Sequence, residues 1–130
     1  MILARLTAIK QFAKDIHYTA KGMSFYGVHL LMDRVADGLD DYIDSIKEVC
    51  FMGAGEEPPS SKEVLSDALS YIPDVSSDTA MDIKMLQELI VSTLKALEEQ
   101  REDAADMNLY NTISQDLKLK LGLISREVIK

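Results

Sequence analysis

Apolar residues return every three or four positions through most of the chain, the period of helices that bury one face. Ile2, Leu6, Ile9, Ala13, Ile16 and Ala20 mark a first helix. Gly22 supplies a stop, because glycine takes the left-handed conformation that ends many helices. Ser24 stands where a hydroxyl can cap the next helix. Val28, Leu31, Val35, Leu39, Tyr42, Ile46 and Val49 keep the same rhythm, so the spacing predicts one long second helix ending near Gly53 and Gly55. Glu56 to Ser60, with Pro58 and Pro59, reads as a loop. Ser60 and Glu63 have capping-box spacing and predict a short helix to about Tyr71, before Pro73. Ile83, Leu86, Ile90, Leu94 and Leu97 predict a third long helix. An acidic turn from Glu102 to Asp106 separates it from a fourth, carried by Tyr110, Ile113, Leu117, Leu121, Ile124 and Val128. No stretch alternates with the period of a strand. The pattern predicts an all-α four-helix bundle, with a short extra helix in the connection between helices two and three.

Composition fits a single domain over residues 1–130. The chain is 47% apolar, enough for a core, and its 28% of charged residues is ordinary for a folded protein. Charge adds direction. Fourteen basic against twenty-two acidic residues leave a net −8 without a basic block. Such a surface lacks the electrostatic footprint of a nucleic-acid or anionic-lipid binder and suits cations. The lone cysteine, Cys50, excludes an intrachain disulfide and reads as a small buried apolar residue. No apolar run approaches the ~20 residues of a membrane span, and the first ten residues lack the core of a secretory signal. The expected location is the cytoplasm.

The candidate chemistry lies around the two histidines, His17 and His29. Asp33 follows His29 by one helical turn, and Asp44 and Glu48 come later in the same predicted helix. Imidazole and carboxylate together suit iron, manganese or zinc. At ~100° per residue, Asp33, Asp44 and Glu48 fall about 40°, 60° and 100° from His29, on one stripe beside the core face. Taken singly, each carboxylate reads as a solvated charge and each histidine as a hydrogen-bonded side chain; Asp40 and Asp41 are given that plain role.

Distance along the helix decides how they combine. The His29–Asp33 pair and the Asp44–Glu48 pair are separated by about 22 Å at 1.5 Å per residue, whereas metal bonds are only ~2 Å long. One chain cannot close one site from both halves. Two antiparallel copies of the helix can, about a two-fold axis crossing between Gly38 and Leu39, where glycine would permit close approach. An isologous dimer would then carry two equivalent sites. His17 would join from the first helix of the His29 subunit.

The run His17-Tyr18 followed by Gly22, Phe25, His29 and Asp33, and then by Asp44, Glu48 and Gly53, resembles the signature of the Dps family, the small-ferritin branch of the ferritin-like proteins. Ile113, Asp116, Leu117 and Leu121 are similar to its C-terminal pattern. The resemblance implies a ferritin-like bundle assembled as a dodecameric shell, with a di-iron centre at each two-fold dimer interface. It implies a ferroxidase that oxidises Fe(II) with hydrogen peroxide or dioxygen, stores the ferric product and protects against oxidative stress. His17, His29 and Asp33 would come from one subunit and Asp44 and Glu48 from its mate. The carboxylates would offset and bridge the metal charge, and the imidazoles would hold the tighter-bound iron with a position open for oxidant.

Some positions depart from that pattern. The chain has no tryptophan: Tyr18 stands beside the first histidine and Gly122 in the last helix, where the family often carries indoles. The lysine-rich N-terminal extension that many members use on DNA is not expected, so with this charge DNA binding is not expected either. Glu99, Glu102, Asp103 and Asp106 fall where the family lines a three-fold pore, although acidic turns are ordinarily solvated. Two other readings stay open: a non-catalytic structural assembly of the same fold, and a DNA-compacting protein.

Overall fold

Helix α1 (Ile2–Thr19) is the element on which the others are laid. In its N-terminal half Ile2, Leu3, Ala4, Leu6, Thr7, Ala8 and Ile9 are all buried, so apolar side chains cover most of its circumference. A helix of that kind needs neighbours on several sides. It has them: α2 (Phe25–Ala36), α3 (Leu39–Ile46), α4 (Ser61–Ala68) and α5 (Thr79–Glu98) all pack against it. The one hydroxyl in that face, on Thr7, donates to the Leu3 carbonyl at 2.8 Å.

This structure is a computed structural model, and it describes residues 1–22, 24–100 and 103–128. Among these residues there are six α-helices and no strand, the last helix being α6 (Ala104–Val128). Helix α6 packs on α5 along one side and on α2 and α3 along the other. The neighbours α1, α2 with α3, α6 and α5 thus close a circuit around a shared core. Phe12, Ile16, Met32, Leu39, Ile46, Leu86, Ile90, Ile113 and Leu117 fill it. None of the helices is long and apolar enough to cross a membrane among the described residues.

Several ends are set by local chemistry. The Ser60 hydroxyl accepts from the Glu63 N–H at 3.2 Å and starts α4 as its spacing predicts. Ser60→Ala is expected to cost about 1 kcal/mol, measurable by urea unfolding. Asp78 caps α5 by accepting from the Met81 N–H at 3.2 Å. The buried Asp82 carboxylate accepts from both the N–H and the hydroxyl of Ser76, which ties the incoming loop to that helix.

The structure departs from the expected pattern in four places. First, the second helix is not continuous. Asp37 is extended (φ −64°, ψ 137°) and Gly38 is left-handed (φ 80°, ψ −10°), the central pair of a type II turn, and helix resumes at Leu39. Gly38 meets the need for positive φ at this turn, and within the same chain nothing lies within 4 Å of where a Cβ would stand. Gly38→Ala is expected to lose roughly 1 kcal/mol, because a side chain resists positive φ; thermal unfolding checks it.

Second, α3 runs into a π-helical turn, Lys47–Phe51, and then a short 3₁₀ turn to Ala54. The wider turn rotates the following residues relative to an α-helix. Val49, expected in the core, is therefore exposed, while Cys50 and Phe51 pack half-buried against the core. Third, Ser24 precedes α2 without a capping hydrogen bond from its side chain. Fourth, the acidic stretch before the last helix is not a free turn. Asp106 is buried in the first turn of α6, and the Asp103 carboxylate accepts from its N–H at 3.0 Å. Glu102 and the side chain of Val128 lie outside the described residues.

Candidate metal centre

Helices α1 and α2 cross where the two histidines stand. The imidazoles of His17 and His29 stack, with centroids 3.7 Å apart and planes within 15°. Each ring is held by the other's backbone. His17 Nδ1 lies 2.6 Å from the His29 carbonyl oxygen, and His29 Nδ1 lies 2.8 Å from the His17 carbonyl oxygen. A carbonyl only accepts, so both Nδ1 atoms carry the proton. In the neutral ring Nε2 then holds the lone pair. This is how metal-binding histidines are ordinarily set, with one nitrogen anchored and the other free to bond. The α1–α2 connection is short enough to bring each ring to the other's backbone, and Gly22 (φ 101°) makes its reversal possible.

Aromatic side chains flank the pair. Phe25 stacks on His29 at 5.3 Å, one turn earlier on α2. Tyr18 meets His17 edge-on at 5.1 Å and is otherwise 73% exposed. Tyr26 and Leu30 are also exposed, at 69% and 51%, on the same stretch of α2. The histidines therefore sit half-buried beneath a rim of uncovered apolar side chains.

Asp33 lies one turn beyond His29 and is engaged by a residue that periodicity does not single out. Lys14 Nζ donates to its carboxylate at 2.6 Å. That hydrogen bond, and then the ammonium charge, hold the Asp33 carboxyl below its ordinary range against a smaller opposing effect of burial; His17 and His29 add weaker pulls in the same direction. Lys14 is in turn raised above the ordinary lysine range, chiefly by the same hydrogen bond. A lowered acid stays charged until pH falls through its lowered value, and a raised base until pH rises through its raised one. Near neutrality, then, protonation does not release Asp33.

Asp44 and Glu48 stand apart from this group, on α3 and in the π-helical turn, and both are exposed. The interruption at Asp37–Gly38 puts them on a different helix from His29 and Asp33. The single-stripe angles, and the separation of about 22 Å along a straight helix, therefore do not describe them. Within one chain the described residues bring no three His, Cys, Asp or Glu side chains into a metal-holding group. Asp40 pairs with Lys10 at 2.8 Å and borders a shallow pocket of about 320 Å³ that also touches Lys14, Asp33 and Gly38. Gly122 lies on the exposed side of α6, where a Cβ would meet nothing within 4 Å.

Sequence spacing missed two lysines. Lys14 precedes His17 by three residues, a helical neighbour position. Lys120 is buried at a position where α6 otherwise turns Leu117 and Ile124 inward. A lysine at core spacing was the available signal. No family model matches the chain, and no curated protein matches it in sequence.

Proposed function

We propose that two copies of this chain, each a ferritin-like four-helix bundle, pair about a two-fold axis to form ferroxidase centres of the Dps type. His17, His29 and Asp33 come from one copy and Asp44 and Glu48 from the other. The dimers assemble further into a hollow shell that stores the ferric product, and the sequence resemblance implies that this shell is a dodecamer. The observation that carries the reading is the reciprocal locking of the two imidazoles, which leaves both Nε2 lone pairs to a metal.

Exposure of Asp44 and Glu48 fits carboxylates awaiting a second copy, and the rim of Tyr18, Phe25, Tyr26 and Leu30 fits a face that such a copy covers. Iron is the substrate. Two Fe(II) ions each give one electron to hydrogen peroxide, the O–O bond breaks, and two hydroxides form without a one-electron hydroxyl radical. The residues supply placement and charge: carboxylates offset the rising charge on iron, and fixed imidazoles keep geometry constant through oxidation. Neutral imidazoles with carboxylates suit iron better than soft or purely oxygen-binding ions.

Lys14 occupies the place where a cation would meet Asp33. Lys14→Met is expected to tighten Co(II) binding a few-fold, read by calorimetry; an exposed ion pair is a weak competitor, so a large change is not expected. The same ion pair favours the second reading, a non-catalytic assembly whose sites stay closed. Adding Fe(II) in air, with and without peroxide, separates the two. Rapid ferric absorbance and iron retained on a particle about twelve times the subunit mass support the ferroxidase cage. Absence of both supports the inert assembly.

A further inference from the structure

Among the described residues one lysine is buried, and it sits at the place where the second helix breaks. Lys120, 2% exposed, comes from α6 and donates through Nζ to the Asp37 carbonyl at 2.7 Å. That carbonyl lies in the turn between α2 and α3, where the helical ladder is interrupted. The same ammonium pairs with Asp116 one turn earlier on α6 at 2.9 Å. Asp116 in turn lies beside the Tyr42 hydroxyl on α3; burial first, and then this carboxylate, raise the tyrosine above its ordinary range. One pair on α6 therefore holds both sides of the break, its end on α2 and its beginning on α3.

Placing a lysine there is costly. A buried ammonium loses hydration that its partners only partly restore, and an apolar residue of similar length would pack the same volume without that loss. Buried ion pairs add little to stability but fix register and geometry in the best-attested cases. This pair spans the turn between the helix that bears His29 and Asp33 and the helix that leads to Asp44 and Glu48.

We propose that Lys120 is a positioning residue for the iron centre, clamping the Asp37–Gly38 turn so that α3 presents Asp44 and Glu48 to the partner copy. The inference rests on the shared-site reading above. Lys120 touches neither iron nor oxidant; it acts through the bend.

The test uses full-length protein in three forms: wild type, Lys120→Met and Lys120→Arg. Lys120→Met is expected to lower the rate constant for Fe(II) oxidation about 10- to 100-fold, the usual cost of losing a group that orients ligands. The apparent KM for iron should change little, because the histidine half-site is untouched. Lys120→Arg keeps a donor at the carbonyl and is expected to restore most of the rate. Nitroxide labels at Arg34 and Ser45, one on each side of the turn, should show a changed distance by pulsed EPR in Lys120→Met only. A folded Lys120→Met protein with wild-type rate and wild-type distance overturns the proposal. Should Lys120→Met not fold, Asp116→Asn weakens the same clamp by removing the carboxylate that pairs with Lys120, and a wild-type rate with a wild-type distance in that variant overturns it equally. If wild type itself oxidises no iron, the ferroxidase reading fails, while the label distance still reports whether Lys120 sets the bend.

Discussion

Replacing His29 with alanine is expected to slow Fe(II) oxidation by at least about 100-fold while leaving the helical content unchanged. Loss of a mere orienting group around a metal ligand already costs about 10- to 100-fold, and this substitution removes a proposed ligand outright. It also strips its neighbour of support. His29 lends His17 a stacking face and its own Nδ1 bond, although the backbone carbonyl that fixes the His17 tautomer remains. The ring is half-buried at the α1–α2 crossing, away from the core packed by Phe12 and Met32. The stability loss should thus stay near that of one or two ordinary hydrogen bonds, about 1–2 kcal/mol. Stopped-flow absorbance of ferric iron with circular dichroism on the same sample checks both halves. A variant that oxidises iron at the wild-type rate removes the histidines from the chemistry.

Asp44→Asn combined with Glu48→Gln is expected to lower oxidation by a similar factor through a different defect. Both side chains are exposed in the single chain and take no part in the core, so the fold and the histidine half-site should survive. The amides keep size and hydrogen bonding but lose the negative charge that offsets iron as its charge rises. One metal per half-site should still bind in a Co(II) titration, while paired oxidation fails. Loss of all metal binding would instead place these carboxylates in the tighter position.

The helices were readable in the sequence where periodicity is local and unbroken. The spacing of Ile2 through Ile16 and of Ile83 through Leu97 is reproduced by α1 and α5, and Ser60–Glu63 by the cap of α4. The break inside the second predicted helix was hidden by its own good fit. Val35, Leu39, Tyr42 and Ile46 keep the three-four rhythm across it, so turning the chain at Asp37–Gly38 sacrifices no burial. Only the Asp-Gly pair and an inward lysine eighty-three positions later marked it, and such a long-range contact leaves no periodic trace. The π-helical turn was hidden for a related reason: Val49 continues the apolar count, but the wider turn carries it outward and brings Cys50 and Phe51 to the core instead.

The candidate site was legible in type and only partly in arrangement. Residue chemistry singled out His17, His29 and Asp33, and the structure brings the two rings together on neighbouring helices. Reciprocal bonds from each Nδ1 to the other's carbonyl depend on how α1 and α2 cross, which spacing alone does not encode. The hold of Lys14 on Asp33 is likewise a tertiary contact between side chains at the surface. Asp44 and Glu48 remain separate from that group within one chain, and the role proposed for them requires a second copy.

Mixing two inactive variants tests that requirement most directly. His29→Ala chains and Asp44→Asn/Glu48→Gln chains are unfolded together in equal amounts and refolded. Half of the random dimers are mixed, and in each mixed dimer one of the two symmetric sites contains only unaltered residues. Sites shared between copies therefore predict recovery of about a quarter of the wild-type oxidation rate. Mixed dimers, verified by native mass spectrometry, that stay as inactive as either parent would contradict a centre built from two chains.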